Sequence, residues 1–414
     1  MMDTRQVANA SKKINFSRNC RMLTINGIHM FGNGETGSLI GLDDEGKSFI
    51  ERLQGLGYVP ADITDTQKEI VDALTADGFF VNDQDTGRFS RAYLHVTSHC
   101  NLTCAGCYSF EEKRNVANDL SLEDMKLILD SLKKSGIKDL IISGGEPFLN
   151  KDLPFILEHA KQHLSFEHIT CISNGTVALE KYTEVADYLD CIAFSLDGYD
   201  DTSSTIRPLS TVQDVKYNTI QLKNTYTEVH LIFTIHAKNY LFAKEFGALA
   251  KELDVGFNFS FLTDKNLSSD GLLILNEQEL NAFDEMVLSN QIITKENDGL
   301  FCSLSCPAGK SLISVSSNGD VYPCHMYTND QNFLMGNLLK ENLLTMVCAT
   351  ISTTDVDQMS PCNRCEIKYV CGGGCRYAGY ALTQDRLGAD TRCCATRRLN
   401  VYRRLDDLLG LHNK

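Results

Sequence analysis

Three cysteines lie within one short segment of the chain, at Cys100, Cys104 and Cys107. Thiolate sulfur is a ligand for both iron–sulfur clusters and zinc, and either kind of site needs four ligands to be closed. The nearest further cysteine is Cys171, which is too distant in sequence to belong to the same loop. A metal centre built on this segment therefore keeps one coordination position open, as catalytic centres do.

The residues before these cysteines predict the element that holds them. Residues 92–97 alternate in polarity and are rich in strand formers, so the cysteines follow the carboxyl end of a strand. A capping box at Ser121 predicts a helix that runs to Lys134. Further strands are predicted at 138–143, 168–173, 191–196, 229–235 and 256–262. Six strands that alternate with helices predict an α/β fold with a parallel sheet and right-handed crossovers.

Glycines and small polar residues follow three of the predicted strands. They are Gly144, Gly145, Glu146 and Pro147 after the second strand, Ser173 and Asn174 at the end of the third, and Ser195 and Asp197 at the end of the fourth. Glycine lets a backbone come close to a ligand, and the carboxyl ends of parallel strands meet at one edge of the sheet. Each segment alone is also explained by a plain turn. Together they predict one binding site beside the three cysteines.

Ten of the sixteen cysteines come after residue 300. In chain order they are Cys302, Cys306, Cys324, Cys348, Cys362, Cys365, Cys371, Cys375, Cys393 and Cys394. Residues 317–321 between them predict a hairpin turn. Paired cysteines of this kind indicate metal binding, and a structural zinc site remains an alternative.

The first ninety residues hold no cysteine cluster and are predicted to form a separate domain. An Asn-Gly pair between apolar runs predicts a hairpin over residues 22–30. Apolar residues at helical spacing predict helices over 44–56 and 65–77, and residues 78–81 have the composition of a short strand. This arrangement is winged-helix-like. We expect three domains, at 1–90, 91–298 and 299–414.

The bulk composition excludes several classes of protein. With 43% hydrophobic and 22% charged residues, the chain of 414 residues has an ordinary globular composition. Its net charge of −15 argues against nucleic-acid binding, which needs a basic surface. The N-terminus lacks the apolar stretch of a signal peptide, and no apolar run is long enough to span a membrane. We therefore expect a cytoplasmic protein with reduced thiols.

The loop of Cys100, Cys104 and Cys107 resembles that of the radical SAM enzymes. In that family the three cysteines bind three irons of a [4Fe–4S] cluster, and S-adenosylmethionine (SAM) occupies the fourth. The resemblance implies a partial (β/α)6 TIM barrel. It also implies SAM contacts from Gly144, Gly145, Glu146, Pro147, Ser173, Asn174, Ser195 and Asp197, and a pairing of Arg207 with the SAM carboxylate. Two positions depart from the family pattern: Gly106 replaces a frequent aromatic residue, and Ser203-Ser204 replaces a usual His-Asp pair.

The later cysteines resemble the SPASM domain of radical SAM peptide-modifying enzymes, which holds two auxiliary [4Fe–4S] clusters. The resemblance therefore implies three clusters in all. It assigns Cys306, Cys324 and Cys375 to the first auxiliary cluster, and Cys362, Cys365, Cys371 and either Cys393 or Cys394 to the second. Cys302 is a candidate fourth ligand of the first auxiliary cluster. If Cys302 does not bind, that cluster keeps an open iron.

The family resemblance implies a peptide maturase that abstracts hydrogen from a ribosomally made precursor peptide. A thioether cross-link is the preferred product, as in sactipeptide and ranthipeptide maturases, and the leader of the peptide is expected to dock on residues 1–90 as an added strand. A flavodoxin or ferredoxin is the expected electron donor. Carbon–carbon cross-linking and anaerobic sulfatase maturation are the alternatives. A non-enzymatic iron–sulfur electron carrier would have no use for the Gly144–Pro147 loop. No residue is predicted to act on the substrate directly.

Overall fold

The computed structural model describes residues 12–17, 20–25, 27–34, 36–80, 89–110, 114–116, 118–208, 210–223, 225, 227–263, 273–290, 292, 306–346, 355–391, 394, 397–398 and 401–402. The chain divides into two compact units. The first joins residues 1–86 with 297–306 and 354–414, and the second joins residues 87–296 with 307–353. The three domains expected from the sequence do not coincide with these units, and that functional division stays a prediction.

The amino-terminal part of the first unit consists of short strands and two helices. The elements are β1 (Lys12–Lys13), β2 (Cys20–Ile25), β3 (Ile28–Asn33), β4 (Leu39–Leu42), α1 (Asp44–Leu56), β5 (Tyr58–Val59) and α2 (Asp65–Ala76). β2, β3 and β4 form an antiparallel sheet in that order, and β1 pairs with β5. Ile25 pairs with Ile28 across the predicted Asn-Gly turn, so the hairpin is confirmed.

The two predicted amino-terminal helices are confirmed, and side-chain caps explain where they begin. Asp43 accepts a hydrogen bond from the Gly46 amide at 2.7 Å, and Thr64 forms a capping box with Gln67. The strand predicted at 78–81 is reduced, in the described residues, to one bridge between Phe80 and Phe16. The winged-helix character of this part therefore remains a prediction.

The second unit is built on one nine-stranded sheet. Its strands are β6 (Arg91–His95), β7 (Asp139–Ser143), β8 (His168–Ser173), β9 (Cys191–Leu196), β10 (Glu228–Ile235), β11 (Gly256–Phe261), β12 (Leu312–Val315), β13 (Asp320–Tyr322) and β14 (Gly336–Asn337). The order across the sheet is β11-β10-β9-β8-β7-β6-β12-β13-β14. β6 to β11 are parallel, each beside its predecessor. The predicted α/β fold with six parallel strands is confirmed.

Helices connect the parallel strands and cover the sheet. They are α3 (Leu122–Lys134), α4 (Leu153–Glu158), α5 (Leu179–Thr183), α6 (Thr211–Leu222), α7 (Ala243–Leu253) and α8 (Glu277–Ser289). The Ser121 hydroxyl accepts from the Asp124 amide at 3.2 Å and caps α3 at the predicted residue. Leu94, Leu140 and Ile169 in the strands are completely buried. Their neighbours Tyr93, Ile141 and Thr170 are only partly buried, so one face of these strands is covered more completely than the other.

Residues 312–337 extend the sheet beyond its six parallel strands. β12 lies parallel to β6, and β13 pairs antiparallel with β12 through the predicted turn at 317–321. β12 covers the edge of β6 that would otherwise be open, and all four residues of β12 are buried there. The part of the chain that holds Cys324 therefore belongs to the same unit as the cysteine loop.

The carboxyl-terminal part of the first unit carries two short helices, α9 (Lys368–Cys371) and α10 (Arg376–Thr383). Leu23 and Met30 of the β2–β3 hairpin share a buried apolar core with Ile367 and Val401. Cys365 and Cys371 are packed against the same core. No helix among the described residues is long and apolar enough to cross a membrane.

Candidate cofactor and active site

A cavity of about 280 Å³ opens at the carboxyl ends of the parallel strands. Cys100, Cys104 and Cys107 all line it, so the structure brings the three predicted ligands to one place. The cavity wall also includes the predicted residues Gly144, Gly145, Ser173, Asn174, Ser195 and Arg207. Together with the cysteines, these residues lie at or after the carboxyl ends of β6, β7, β8 and β9, which is how parallel α/β folds assemble a site.

The loop that carries the three cysteines is fixed by backbone contacts. The Asn115 side chain binds both the amide and the carbonyl of Cys100, at 2.8 and 3.1 Å. The Ala105 amide donates to the carbonyl of Ile206 at 3.3 Å. Gly106 has a φ of +67°, a left-handed conformation that disfavours a bulky side chain. This conformation explains why glycine, and not an aromatic residue, precedes Cys107.

The three thiols differ in their electrostatic surroundings. Burial raises the pKa of Cys100 and of Cys104. Burial also acts to raise the pKa of Cys107, but the charge of Arg114, with hydrogen bonds from Ser109 and Arg114, outweighs it and lowers that pKa below its ordinary value. Cys107 is therefore the thiol most easily converted to the thiolate that binds iron.

Sequence reasoning missed Arg114, although this residue lines the cavity and donates to Cys107 at 3.2 Å. Arg114 ends the charged run of residues 111–114, a pattern that usually indicates a solvated surface. No local pattern in the sequence distinguishes this arginine from its charged neighbours.

Gly144 and Gly145 lie against the backbone just before the cysteine loop. The Gly145 amide donates to Thr97 at 2.9 Å, and the Glu146 amide donates to His99 at 2.7 Å. A methyl group on Gly145 would come within 2.6 Å of the His99 carbonyl carbon. The glycines are thus required for the close approach of two loops as well as for access to a ligand.

Glu146 and Pro147 are not part of the cavity lining. Glu146 is completely buried, and its carboxylate accepts hydrogen bonds from the Ser173 hydroxyl at 2.9 Å and the Asn174 amide at 2.8 Å. Burial raises the pKa of Glu146 to about 7, although these hydrogen bonds act in the opposite direction. Glu146 therefore joins the loops after β7 and β8 and positions Ser173 and Asn174, which do line the cavity.

We expect Glu146→Gln to remove a pH dependence of stability. The Glu146 carboxyl ionises near pH 4.5 in the unfolded chain and near pH 7 in the folded chain. Between these two pH values the folded state binds more protons than the unfolded state, so its stability falls as the pH rises. The total loss is about 3 kcal/mol, since one pKa unit corresponds to about 1.4 kcal/mol. Urea unfolding at several pH values between 5 and 8 measures the effect. Wild-type and variant curves that stay parallel across this range would contradict the prediction.

Asp197 also lies outside the cavity lining, whereas its neighbour Arg207 belongs to it. The Asp197 carboxylate accepts from the amides of Thr205 and Ile206, both at 2.7 Å. It also forms an ion pair with Arg207 at 3.5 Å. Burial acts to raise the Asp197 pKa, but hydrogen bonds and the charge of Arg207 outweigh it and hold that pKa well below its usual range. Asp197 therefore positions the segment that carries Arg207.

Arg207 meets the requirement for binding an anionic group. Its Nε is buried and has no hydrogen-bond partner among the described residues. Its charge opposes the rise that burial causes in the pKa of Cys104, so the guanidinium acts on the cysteine loop. A buried donor without a partner is costly unless a ligand satisfies it. A carboxylate is the natural partner of a guanidinium.

Aromatic residues form a further wall of the cavity. The ring centroids of Tyr93 and His325 are 4.3 Å apart, and those of Tyr108 and His325 are 4.9 Å apart. The Tyr108 hydroxyl lies 2.7 Å from the Ser143 hydroxyl. His325 follows Cys324 directly in sequence, so this wall connects the cysteine loop with a second predicted ligand. Sequence reasoning did not place Tyr93 or His325 in the site, because both depend on the pairing of β12 with β6.

The predicted auxiliary ligands are distributed over both units. Cys306 and Cys375 lie in the first unit and Cys324 in the second, while Cys302 and Cys393 lie outside the described residues. Desolvation and the charge of Cys306 raise the pKa of Cys375 to about 11.

The thiols predicted for the second auxiliary cluster lie within reach of one another's charge. Burial raises the pKa of Cys362 to about 11, and the neighbouring thiols that add to this effect are Cys371, Cys394 and Cys365. Burial also raises the pKa of Cys394, with further contributions from Cys371 and Cys365. Of the two candidates for the last ligand position, Cys394 is the one that the structure describes.

The donor chemistry of the cavity fits an iron–sulfur cluster with a bound SAM. Three soft thiol ligands come from one loop, and a cation with a free donor lies beside them. No three His, Cys, Asp or Glu side chains in the described part of the chain are close enough together to hold a single metal ion.

Comparison with protein families matches residues 94–240 to the radical SAM superfamily and residues 306–366 to SPASM, an iron–sulfur cluster-binding domain. The S-adenosylmethionine-dependent nucleotide dehydratase of Oncorhynchus mykiss is 34% identical over 122 residues, which are 28% of this chain and 34% of that protein. The chain thus spans only about a third of that relative. The mycofactocin maturase MftC of Mycobacterium tuberculosis is 25% identical over 322 residues, 72% of this chain and 81% of that protein.

A solved structure shares the fold over almost the whole chain. SuiB of Streptococcus suis, bound to the precursor peptide SuiA, superposes with a TM-score of 0.58 at 16% identity, covering 92% of this chain and 99% of that one. The family matches show that the chain carries a radical SAM domain over residues 94–240. They also show a SPASM iron–sulfur cluster-binding domain over residues 306–366.

Proposed function

We propose that this chain is a peptide maturase that forms a thioether between a cysteine sulfur and a carbon of a ribosomally made precursor peptide. One observation carries the proposal: three thiols, a glycine-lined wall and a cation with a free donor converge on one cavity. The peptide as substrate is supported by the maturase relative and by the fold shared with a protein that binds a precursor peptide.

In this proposal each predicted residue of the cavity has one task. Cys100, Cys104 and Cys107 hold three irons of a [4Fe–4S] cluster, and SAM binds at the fourth. When bound and reduced by one electron, the cluster and SAM would together supply the 5′-deoxyadenosyl radical that abstracts hydrogen. Arg207 holds the SAM carboxylate, because its Nε is buried and lacks a partner in the described structure. Gly144 and Gly145 allow the methionine part of SAM to approach the backbone.

We assign the later cysteines to two auxiliary clusters that carry electrons during the proposed reaction. In the assignment that the family resemblance implies, Cys306, Cys324 and Cys375 are ligands of the first auxiliary cluster, with Cys302 as a candidate fourth ligand. Cys362, Cys365, Cys371 and either Cys393 or Cys394 are the ligands of the second. A low-potential donor such as a ferredoxin or flavodoxin supplies the electron that starts each turnover. Three [4Fe–4S] clusters in the reconstituted protein are the expected metal content, and an iron content equal to one cluster would contradict this assignment.

The amino-terminal sheet is the proposed docking surface for the leader of the precursor peptide. β2 and β4 are its edge strands, and among the described residues each pairs only with β3 in this sheet. An extended peptide can add to such an edge through backbone hydrogen bonds. Helices α1 and α2 contribute six acidic residues and three basic ones, so a leader with basic side chains is favoured over an acidic one.

The test uses the full chain with its clusters reconstituted under anaerobic conditions. With SAM, dithionite and a cysteine-containing precursor peptide, we expect 5′-deoxyadenosine and a peptide that has lost two hydrogen atoms. The cysteine of the product should resist alkylation, because its sulfur is part of a thioether. The Cys100→Ala, Cys104→Ala, Cys107→Ala triple variant is the control and should form neither product.

Other outcomes of the same experiment separate the rival functions. A loss of two hydrogen atoms with a cysteine that can still be alkylated indicates a carbon–carbon cross-link. An aldehyde at a Ser or Cys indicates formylglycine formation. A peptide without its leader should be modified much more slowly, and equal rates with and without the leader would contradict the docking role of the amino-terminal sheet.

A further inference from the structure

We propose that Arg114 is a positioning residue that sets the reduction potential of the cluster at Cys100, Cys104 and Cys107. This inference rests on the proposed cofactor and goes beyond it, since it assigns a role to a side chain that no sequence motif contains. The reaction concerned is the uptake of one electron by the oxidised cluster from a low-potential donor such as dithionite.

Arg114 is held against the cysteine loop by several contacts. It is 8% exposed. Its Nη2 donates to the Cys107 sulfur at 3.2 Å and to the Ser109 hydroxyl at 3.0 Å. Its Nη1 donates to the Leu102 carbonyl at 3.5 Å, and its guanidinium lies 5.4 Å from the centre of the Phe110 ring. These contacts fix both the position of the charge and the direction of its hydrogen bonds.

The Cys100 sulfur has weaker donors than that of Cys107. Cys100 accepts from the Leu102 amide at 3.5 Å and from the Asn174 side chain at 4.0 Å, and both donors are neutral. No carboxylate in the described structure pairs with Arg114, whereas the charge of Arg207 is compensated by Asp197 at 3.5 Å. Among the described residues, Arg114 is therefore a cation that lies against the cysteine loop and has no carboxylate partner.

A fixed cation affects the two redox states of a cluster unequally. Reduction adds one negative charge to the cluster and its thiolates, so the attraction to Arg114 is stronger in the reduced state. Hydrogen bonds to a ligand sulfur act in the same direction, because they favour the state with more charge on sulfur. Arg114 should therefore raise the reduction potential and make the cluster easier to reduce.

The test compares Arg114→Gln and Arg114→Lys with the wild-type chain. After cluster reconstitution without peptide, the midpoint potential is measured by electron paramagnetic resonance during a redox titration, and the cluster at Cys100–Cys107 is recognised by the change in its spectrum when SAM is added. We expect a more negative potential for the glutamine variant. The lysine variant should lie between it and wild type, because lysine keeps the charge without the fixed pair of donors.

The matched control is Arg91→Gln, since Arg91 is 52% exposed and pairs with Asp139 at 3.0 Å at the amino end of β6. The reduction potential of this control variant should equal that of wild type.

Either Arg114 variant with a wild-type potential overturns the inference. If the glutamine variant takes up no cluster, the lysine variant decides. A weaker affinity for SAM with an unchanged potential assigns Arg114 to SAM binding instead. A wild-type chain that takes up no cluster at these cysteines overturns the cofactor assignment together with this inference, whereas failure to modify a peptide affects neither.

Discussion

Gly145→Ala is expected to abolish SAM cleavage and to lower the free energy of unfolding by about 1–3 kcal/mol, as overpacking in a dense interior does. The added methyl group would lie 2.6 Å from the His99 carbonyl carbon and 2.7 Å from the Ser98 carbonyl oxygen. Both contacts are with backbone, which cannot rotate away as a flexible side chain can. The strain must move the segment just before Cys100, so the cysteine loop and the glycine loop lose their shared geometry.

Gly55→Ala is the matched control for this prediction. Gly55 lies in α1, and a methyl group there would meet no atom within 4 Å. We expect this variant to keep wild-type SAM cleavage and to be equally stable or more stable by about 0.5–1 kcal/mol, because alanine favours helix. Measuring 5′-deoxyadenosine and urea unfolding on both variants tests the pair. Wild-type cleavage by the Gly145 variant would show that the close approach of the two loops is not required.

The periodicity of the sequence was enough to predict the parallel sheet. The six predicted strands match β6 to β11 to within one or two residues at each end, because each is a short apolar segment bounded by polar turns. Position at or just after the end of a strand also predicted part of the cavity wall, including Ser173 and Ser195. In a parallel sheet the end of the strand fixes which edge of the fold a residue occupies.

Position after a strand does not fix where a side chain points. Asp197 is one residue beyond β9, where strand alternation no longer applies, and its carboxylate turns toward the amides of Thr205 and Ile206. Glu146 similarly turns toward Ser173 and Asn174. Both residues are in the predicted segments but act through their neighbours, an outcome that depends on contacts between distant loops.

Local sequence patterns could not predict which segments of the chain belong to the same unit. Ile367 and Val401 pack on the β2–β3 hairpin, although more than three hundred residues separate them from it in sequence. Removing residues 1–90 would expose this apolar core beside Cys365 and Cys371. A truncated chain is therefore an unsuitable test of leader docking, and comparing peptides with and without a leader on the full chain avoids the problem.

Asp197→Ala is expected to have the second large effect, a loss of about 3–5 kcal/mol in the free energy of unfolding, as found when one partner of a buried ion pair is removed. The substitution leaves the amides of Thr205 and Ile206 without their acceptor and the Arg207 charge without its counter-ion. The segment that carries Arg207 then loses its anchor. Affinity for SAM should fall at least about tenfold, which corresponds to about 1.4 kcal/mol.

Two further variants separate this positioning role from a direct contact with SAM. Asp197→Asn keeps an acceptor for the two amides but loses the charge, so its stability and SAM affinity should lie between those of wild type and the alanine variant. Asp190→Asn is the matched control, because Asp190 accepts from the Ile169 amide at 2.8 Å and pairs with Lys161 just before the amino end of β9, away from the cavity. It should lose some stability and keep SAM affinity. If Asp197→Ala weakened SAM binding without any loss of stability, Asp197 would be a ligand of SAM and not the anchor of Arg207.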